Sequence, residues 1–346
     1  MRVLVVGGTG FLGGALTEAL ASAGHEVSVL VRGNTSRSLP AGVTAIAADR
    51  HGDLSILQEQ QFDWAFDTCA FEPGAVRHLL EALGDNLQRY VFISSISAYG
   101  TFTKPLLNEQ DAVPLPTEDD LALARNLDPQ DRSSANSYGA SYGRLKRACE
   151  LEAEDTLGDR VTSLRVGLLV GAGDYTDRLT WWVRRIDQAT ADKPEVPAPA
   201  PASRNVQMID VRDAASFALA CAEEKRGGIW NVTSAPMQLG DMLQQIISVS
   251  GSPARLKWVD EEHILEADIQ PWTDLPVMIP SASDYTHFMN VDTARAEAAG
   301  LTCRPLSETL EPLLAWDRSR WDIPLKCGLS AEQEAALLEE RSEAEA

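Results

Sequence analysis

Short apolar runs alternate with helix-like stretches through the first half of the chain. Val3–Val6 is the first such run, and further runs follow at Val27–Val31, Val43–Ala48, Trp64–Cys69, Tyr90–Ser94 and Val161–Val170. Between them lie stretches with helical patterning at Gly14–Ser22, Gly74–Leu83 and Ser141–Leu157, and Gly24 closes the first of these. Apolar runs separated by helices predict an α/β fold. A parallel sheet is covered on both faces by helices, and right-handed crossovers join the strands.

Two stretches break the rhythm. Thr101–Asn136 is long, polar and acidic, and reads as an insertion between the fifth strand and its helix. A structureless connection of that length is commonly functional. Thr190–Ser203 carries Pro194, Pro197, Pro199 and Pro201 and reads as an extended loop. Asn205–Val211 then has a strand pattern and Ala214–Glu224 a helical one. From about Met237 the pattern becomes irregular, which predicts a smaller lobe over the carboxyl edge of the sheet. The division expected is a nucleotide-binding domain over 1–172, with 206–232 returning to it. A substrate lobe is expected over 173–205 and 233–330, and 331–346 reads as an acidic tail, a solvated or frayed terminal helix.

The turn after the first strand sharpens this picture. It reads Gly7-Gly8-Thr9-Gly10-Phe11-Leu12-Gly13. Gly7 allows a tight turn, Gly10 keeps the backbone open to phosphates, and Gly13 permits close helix packing. The helix that follows points free N–H groups and partial positive charge at an anion. A dinucleotide fits this strand–turn–helix context, and with it a doubly wound Rossmann sheet with a smaller C-terminal substrate lobe.

Charge changes the list of partners. The 346 residues carry a net charge of −21, which argues against nucleic acid and anionic membranes because like charges repel. No apolar run is long enough to span a bilayer. The five cysteines are scattered without a CxxC or Cys/His cluster, so neither a metal site nor a disulfide framework is indicated. With no signal-like segment before the first strand, the protein is expected in the cytoplasm.

Three features carry chemistry. Tyr142 and Lys146 lie one turn apart if Ser141–Leu157 is helical, and a lysine beside a tyrosine lowers the phenol's pKa toward useful values. Ser94, Ser95 and Ser97 end the fifth strand. Serines there either cap the strand end or donate to a substrate oxygen. At the end of the second strand, Leu30-Val31-Arg32-Gly33 has no acid to bind ribose hydroxyls. Arg32, with Arg37, suits a 2′-phosphate, so NADP is preferred over NAD.

Together these motifs resemble the extended short-chain dehydrogenase/reductases, the NAD-dependent epimerase/dehydratase family. The resemblance implies that Gly7, Gly10, Phe11, Leu12 and Gly13 cradle the cofactor. Asp49, with Arg50 beside it, meets the adenine end, and Cys69 and Ala70 line the cofactor. It implies Tyr142 as general acid/base, Lys146 on the nicotinamide ribose, and Ser95 on the same substrate oxygen as Tyr142. Arg165–Asp174 matches the family's segment after the sixth strand, with Val166 where a proline is usual. Ile96 and Ser97 stand where 4,6-dehydratases carry Asp-Glu. The implied function is an oxidoreductase interconverting a secondary alcohol and a ketone on a small, sugar-like or natural-product substrate. The alternatives are a nucleotide-sugar epimerase with a retained cofactor and a non-catalytic NADP-binding sensor or scaffold. A homodimer through the helices at Gly74–Leu87 and Tyr138–Leu157 is also implied.

Overall fold

In the computed structural model, which describes residues 1–32, 38–132 and 134–339, seven strands form one parallel sheet. They are β1 (Arg2–Val6), β2 (Glu26–Val31), β3 (Thr44–Ala47), β4 (Trp64–Asp67), β5 (Arg89–Ser95), β6 (Val161–Val166) and β11 (Gly228–Val232). Their order is β11-β6-β5-β4-β1-β2-β3. The strand order reverses between β1 and β4, which opens a crevice at their carboxyl ends.

The period of two decides which residues face which helices. Val3 and Val5 join the core formed with α1 (Phe11–Ser22) and α7 (Val211–Glu223). Leu4 and Val6 join the opposite core, with α2 (Ser55–Gln58), α3 (Pro73–Leu83) and α5 (Tyr142–Leu157). Both faces of the sheet are thus dry, which is why its strands read as continuous apolar runs.

The apolar run at Val161–Val170 is not one strand. β6 ends at Val166, and Gly167 turns the chain with its N–H on Val232 O at 3.0 Å. A Cβ on Gly167 would lie 2.7 Å from Thr233. The rest, β7 (Leu168–Val170), pairs with β10 (Met208–Asp210) in a separate small sheet. The run at Asn205–Val211 is likewise split. β9 (Asn205–Val206) pairs with β12 (Met237–Gln238), and Val211 already begins α7.

The proline-rich stretch is extended but not a free loop. Its β8 (Glu195–Pro199) pairs in parallel with β13 (Arg255–Val259). The C-terminal lobe is more regular than its sequence suggests. It contains α6 (Arg178–Asp187), α8 (Leu239–Ser250), α9 (Glu261–Glu266) and α11 (Leu306–Arg318), packed around Trp182, Leu243, Met278 and Leu313. Between them α10 (Ala294–Ala298) leaves the lobe and packs against the sheet, with Ala296 in the α1/α7 core and Arg295 over the Trp230 ring at 4.1 Å.

The expectation of a solvated terminal helix also needs correction. In α12 (Ala331–Leu338), Leu337 is buried in the lobe core. Glu334 holds Arg185 at 2.5 Å, and Gln333 reaches Asp274. Residues 340–346 lie outside the described residues. Nor is the insertion at Thr101–Asn136 structureless. It contains α4 (Glu118–Asn126), started by a reciprocal cap between Thr117 and Asp120.

Candidate functional site

The site is built on the carboxyl ends of β1, β2, β3, β4 and β5. Gly7 leaves β1 with φ +80°, a conformation that side chains resist. A Cβ on Gly13 would stand 2.1 Å from Gly7 O, so the first turn of α1 sits directly on the glycine turn. Gly10 is different: among the described residues, Gly7 O at 3.3 Å is the atom near its notional Cβ. A glycine there puts no side chain where a pyrophosphate would lie, and the first turn of α1 carries no acidic residue to repel one. The residues present therefore fit a dinucleotide. Phe11 lies against Gly171 and Gly173 beyond β7, whereas Leu12 is buried in the core. Cys69 packs at the turn, its sulfur 3.1 Å from where a Gly7 Cβ would be.

At the other end of the crevice, Ser95, Tyr142 and Lys146 come together from separate elements. The cause is a close approach by Gly143. A Cβ there would be 2.0 Å from Ser97 O, so only glycine lets the start of α5 touch the turn after β5. The Ser95 side chain is near enough to Tyr142 to favour its ionised form, and the Ser95 hydroxyl accepts from Ser97 N–H at 3.1 Å. Lys146 donates to the carbonyls of Ala70 and Ile93, each at 2.9 Å. Its ammonium stands over the Phe71 ring at 4.5 Å and the Tyr142 ring at 5.9 Å.

The proton balance differs from expectation. Burial pushes the Tyr142 hydroxyl up to about 12, and the nearby Ser95 side chain only partly opposes it. Lys146 does not lower it. Burial also lowers the Lys146 ammonium's own proton affinity, and two backbone carbonyls take up its charge. Tyr175, which follows the buried Asp174, is near enough to raise Tyr142 further. Burial pushes the Asp174 carboxyl up to about 6, against hydrogen bonds from Thr176.

Of the two serines that end β5, only one faces this site. Ser94 donates to Glu150 Oε1 at 2.6 Å, and Arg165 grips the same carboxylate through Nε and Nη2. Tyr142, Lys146 and Glu150 recur every fourth residue along one face of α5. The buried Glu150–Arg165 pair thus fastens that face to β5 and β6.

Arg50 does not belong with the cofactor residues. Its guanidinium forks onto Asp67 at 2.7 and 2.8 Å and also reaches Ala75 O, while the Tyr90 hydroxyl donates to Asp67 at 2.7 Å. An acid inside the apolar run Trp64-Ala-Phe-Asp67 was the sequence signal that it needed a buried cation. Arg32 is exposed and lines a cleft with Asp49, whose carboxylate accepts from His51 N–H. Arg37 lies outside the described residues. Trp181 and Trp182 are both core residues of the lobe, and Trp182 donates to Pro276 O.

Among the described residues no His/Cys/Asp/Glu group could hold a metal, and no helix is long and apolar enough to cross a membrane. The family model for the NAD dependent epimerase/dehydratase family matches residues 3–233. The chain is similar to the chloroplast stem-loop binding protein of 41 kDa b from Arabidopsis thaliana, 25% identical over 72% of this chain and 63% of that one. It is also similar to 2′-dehydrokanamycin reductase from Streptomyces kanamyceticus, 33% identical over 33% of each chain. In both cases the match spans less than two thirds of the relative. Among solved structures, UDP-N-acetylglucosamine 4-epimerase from Methanobrevibacter ruminantium M1, in complex with UDP-N-acetylmuramic acid, superposes with a TM-score of 0.65. That match covers 92% of this chain and 98% of that one at 18% identity. UDP-glucuronic acid 4-epimerase from Bacillus cereus in complex with NAD gives 0.62, covering 92% and 99% at 18% identity. At such identities the likeness concerns the fold.

Proposed function

The chain belongs to the NAD dependent epimerase/dehydratase family, and from that membership we propose that it is an oxidoreductase that interconverts a ketone and a secondary alcohol on a small, sugar-like or natural-product molecule. The observation that carries this reading is the convergence of the Tyr142 and Ser95 side chains beside Lys146. When bound, the nicotinamide cofactor supplies or takes the hydride. The glycine turn and α1 hold its pyrophosphate, and Lys146, with two of its three protons on carbonyls, keeps the third for a ribose hydroxyl. Ser95 orients the substrate oxygen. Tyr142, protonated at neutral pH, gives its proton to that oxygen as the carbonyl is reduced, so reduction is the direction favoured by the resting site.

NADP is the preferred cofactor in this reading, because Arg32 stands after β2 where an acid would bind unphosphorylated ribose. Arg32→Ala should weaken NADPH binding by about 1.5–3 kcal/mol, the worth of a charge-assisted contact, and NADH binding much less. Titration of the unmutated protein showing equal or tighter NADH binding would overturn the preference.

The experiment for the activity is net NADPH consumption with a panel of small ketones and keto-sugars, repeated with Tyr142→Phe. The expected result is turnover that falls about 10²–10⁴-fold in the variant while NADPH affinity holds. A nucleotide-sugar epimerase would instead convert sugar nucleotides without net use of NADPH. Binding of NADPH with no conversion of either class would mean a sensor or scaffold.

A further inference from the structure

We propose that the turn at Pro129–Gln130, carried by the insertion between β5 and α5, is the outer wall of the adenosine end of the cofactor cleft, and that Gln130 tunes the choice between NADP and NAD. This rests on the dinucleotide reading above. A cleft of about 460 Å³ is lined by Pro129 and Gln130 together with Arg32, Ala47, Ala48 and Asp49. Arg32 directly follows β2, and Ala48 and Asp49 directly follow β3. A dinucleotide whose pyrophosphate rests on α1 at the switch point has one half over β4 and β5 and the other over β2 and β3. Ser95, Tyr142 and Lys146 occupy the β4–β5 side, so the adenosine half falls to the side that this turn covers.

The turn is held in place rather than free. Upstream, Asp120 at the start of α4 grips Arg144 of α5 with two hydrogen bonds, at 2.7 and 2.9 Å. Within the turn, Asp128 accepts from Gln130 N–H through its carboxylate at 3.1 Å and from Asp131 N–H through its carbonyl at 2.9 Å. Downstream, Arg132 donates to Leu127 O, and the Tyr138 hydroxyl donates to Arg132 O. Tyr138 in turn stacks on Phe71 at 5.1 Å beside the catalytic lysine. Arg132 also acts on His51, next to the sheet-side wall, where burial and then the charges of Arg50 and Arg132 oppose protonation. In this proposal the far part of the insertion, which the sequence marks only as a long and commonly functional connection, faces the cofactor.

Gln130 is neutral and lines the same cleft as Arg32. A carboxylate in its place would pair with Arg32 and repel a 2′-phosphate. The experiment is calorimetric titration of the wild type, Gln130→Glu and Pro129→Ala with NADPH, NADH, adenosine 2′,5′-bisphosphate and nicotinamide mononucleotide. Thermal midpoints serve as the check on folding, and both positions are exposed. Gln130→Glu should bind NADPH and the bisphosphate about tenfold more weakly, the scale of one close charge contact, with NADH affected less and the mononucleotide unchanged. Pro129→Ala should weaken both dinucleotides alike. Folded variants that bind all four ligands as the wild type does would overturn the proposal and leave the dinucleotide reading intact. A wild type that binds no dinucleotide would overturn that reading, and this proposal with it.

Discussion

At the scale of the residue, Tyr142 behaves against the simplest expectation for a tyrosine beside a lysine. Burial raises its hydroxyl to about 12, because Lys146 points its charge at two carbonyls instead of at the phenol oxygen. The sign of the pH dependence follows. Reduction needs the protonated hydroxyl, which is present throughout the neutral range, so its kcat should stay flat there and fall only at strongly alkaline pH. Oxidation needs the phenolate, so its kcat should rise with pH. Rates of both directions against pH test this, and a reduction rate that falls between pH 6 and 8 would contradict the Tyr142 assignment.

At the scale of the element, α5 is placed by one glycine and one ion pair. The 2.0 Å that would separate a Gly143 Cβ from Ser97 O forces Gly143→Ala to shift α5 or the turn after β5. No catalytic group is removed, yet kcat should drop about 10²-fold, since displacements near 1 Å have that effect. Dinucleotide affinity, set mostly at the glycine turn, should change less. A variant with wild-type kcat would show that this approach does not position Tyr142. On β4 the buried Asp67 tests a different link. Burial pushes its carboxyl up, but Arg50 and Tyr90 together hold it below the usual value of 3.8. A group with a depressed folded pKa stabilises above its unfolded value and loses that contribution as pH falls through the folded one. Asp67→Asn leaves Arg50 buried without its charge partner and should cost about 3–5 kcal/mol in denaturant unfolding at neutral pH. The difference should begin to shrink below about pH 4, where the unfolded chain's carboxyl takes up a proton, and disappear only once the folded carboxyl is protonated too.

At the scale of the whole molecule, charge shapes what the surface can do. A homodimer through α3 and α5 remains the proposal from the family resemblance. The outward face of those helices carries Arg77, His78, Glu81 and Asp155, all exposed. Such an interface would be held by ion pairs more than by apolar burial. Light scattering should therefore report a dimer at low salt that dissociates at high salt, where exposed charges are screened. A salt-insensitive dimer would place the interface elsewhere, and a monomer at low salt would remove it. The net charge of −21 equally sets the expectation for RNA. The stem-loop binding named for the Arabidopsis relative belongs to that relative, and an acidic surface opposes phosphate.

Local pattern was enough for six of the seven sheet strands, the glycine turn and the spacing of Tyr142 and Lys146, because each depends on residues within one strand or one helix turn; β11 (Gly228–Val232), the edge strand beside β6, was not read from the sequence. The strand breaks at Gly167 and Gln207 were hidden, since they follow from packing against residues distant in sequence such as Thr233. The docking of α12 and the pairing of β8 with β13 were hidden for the same reason: partners more than fifty residues apart leave no period to read. Arg50 shows the limit most directly. By motif position it sat beside the adenine, but an acid buried on β4 offered it a bidentate partner, and a buried carboxylate without a cation is too costly to leave. The sequence by itself therefore determined which surfaces are apolar and which turns are tight. Only the tertiary structure decided where each charge finds its counter-charge, because those partners lie far apart along the chain.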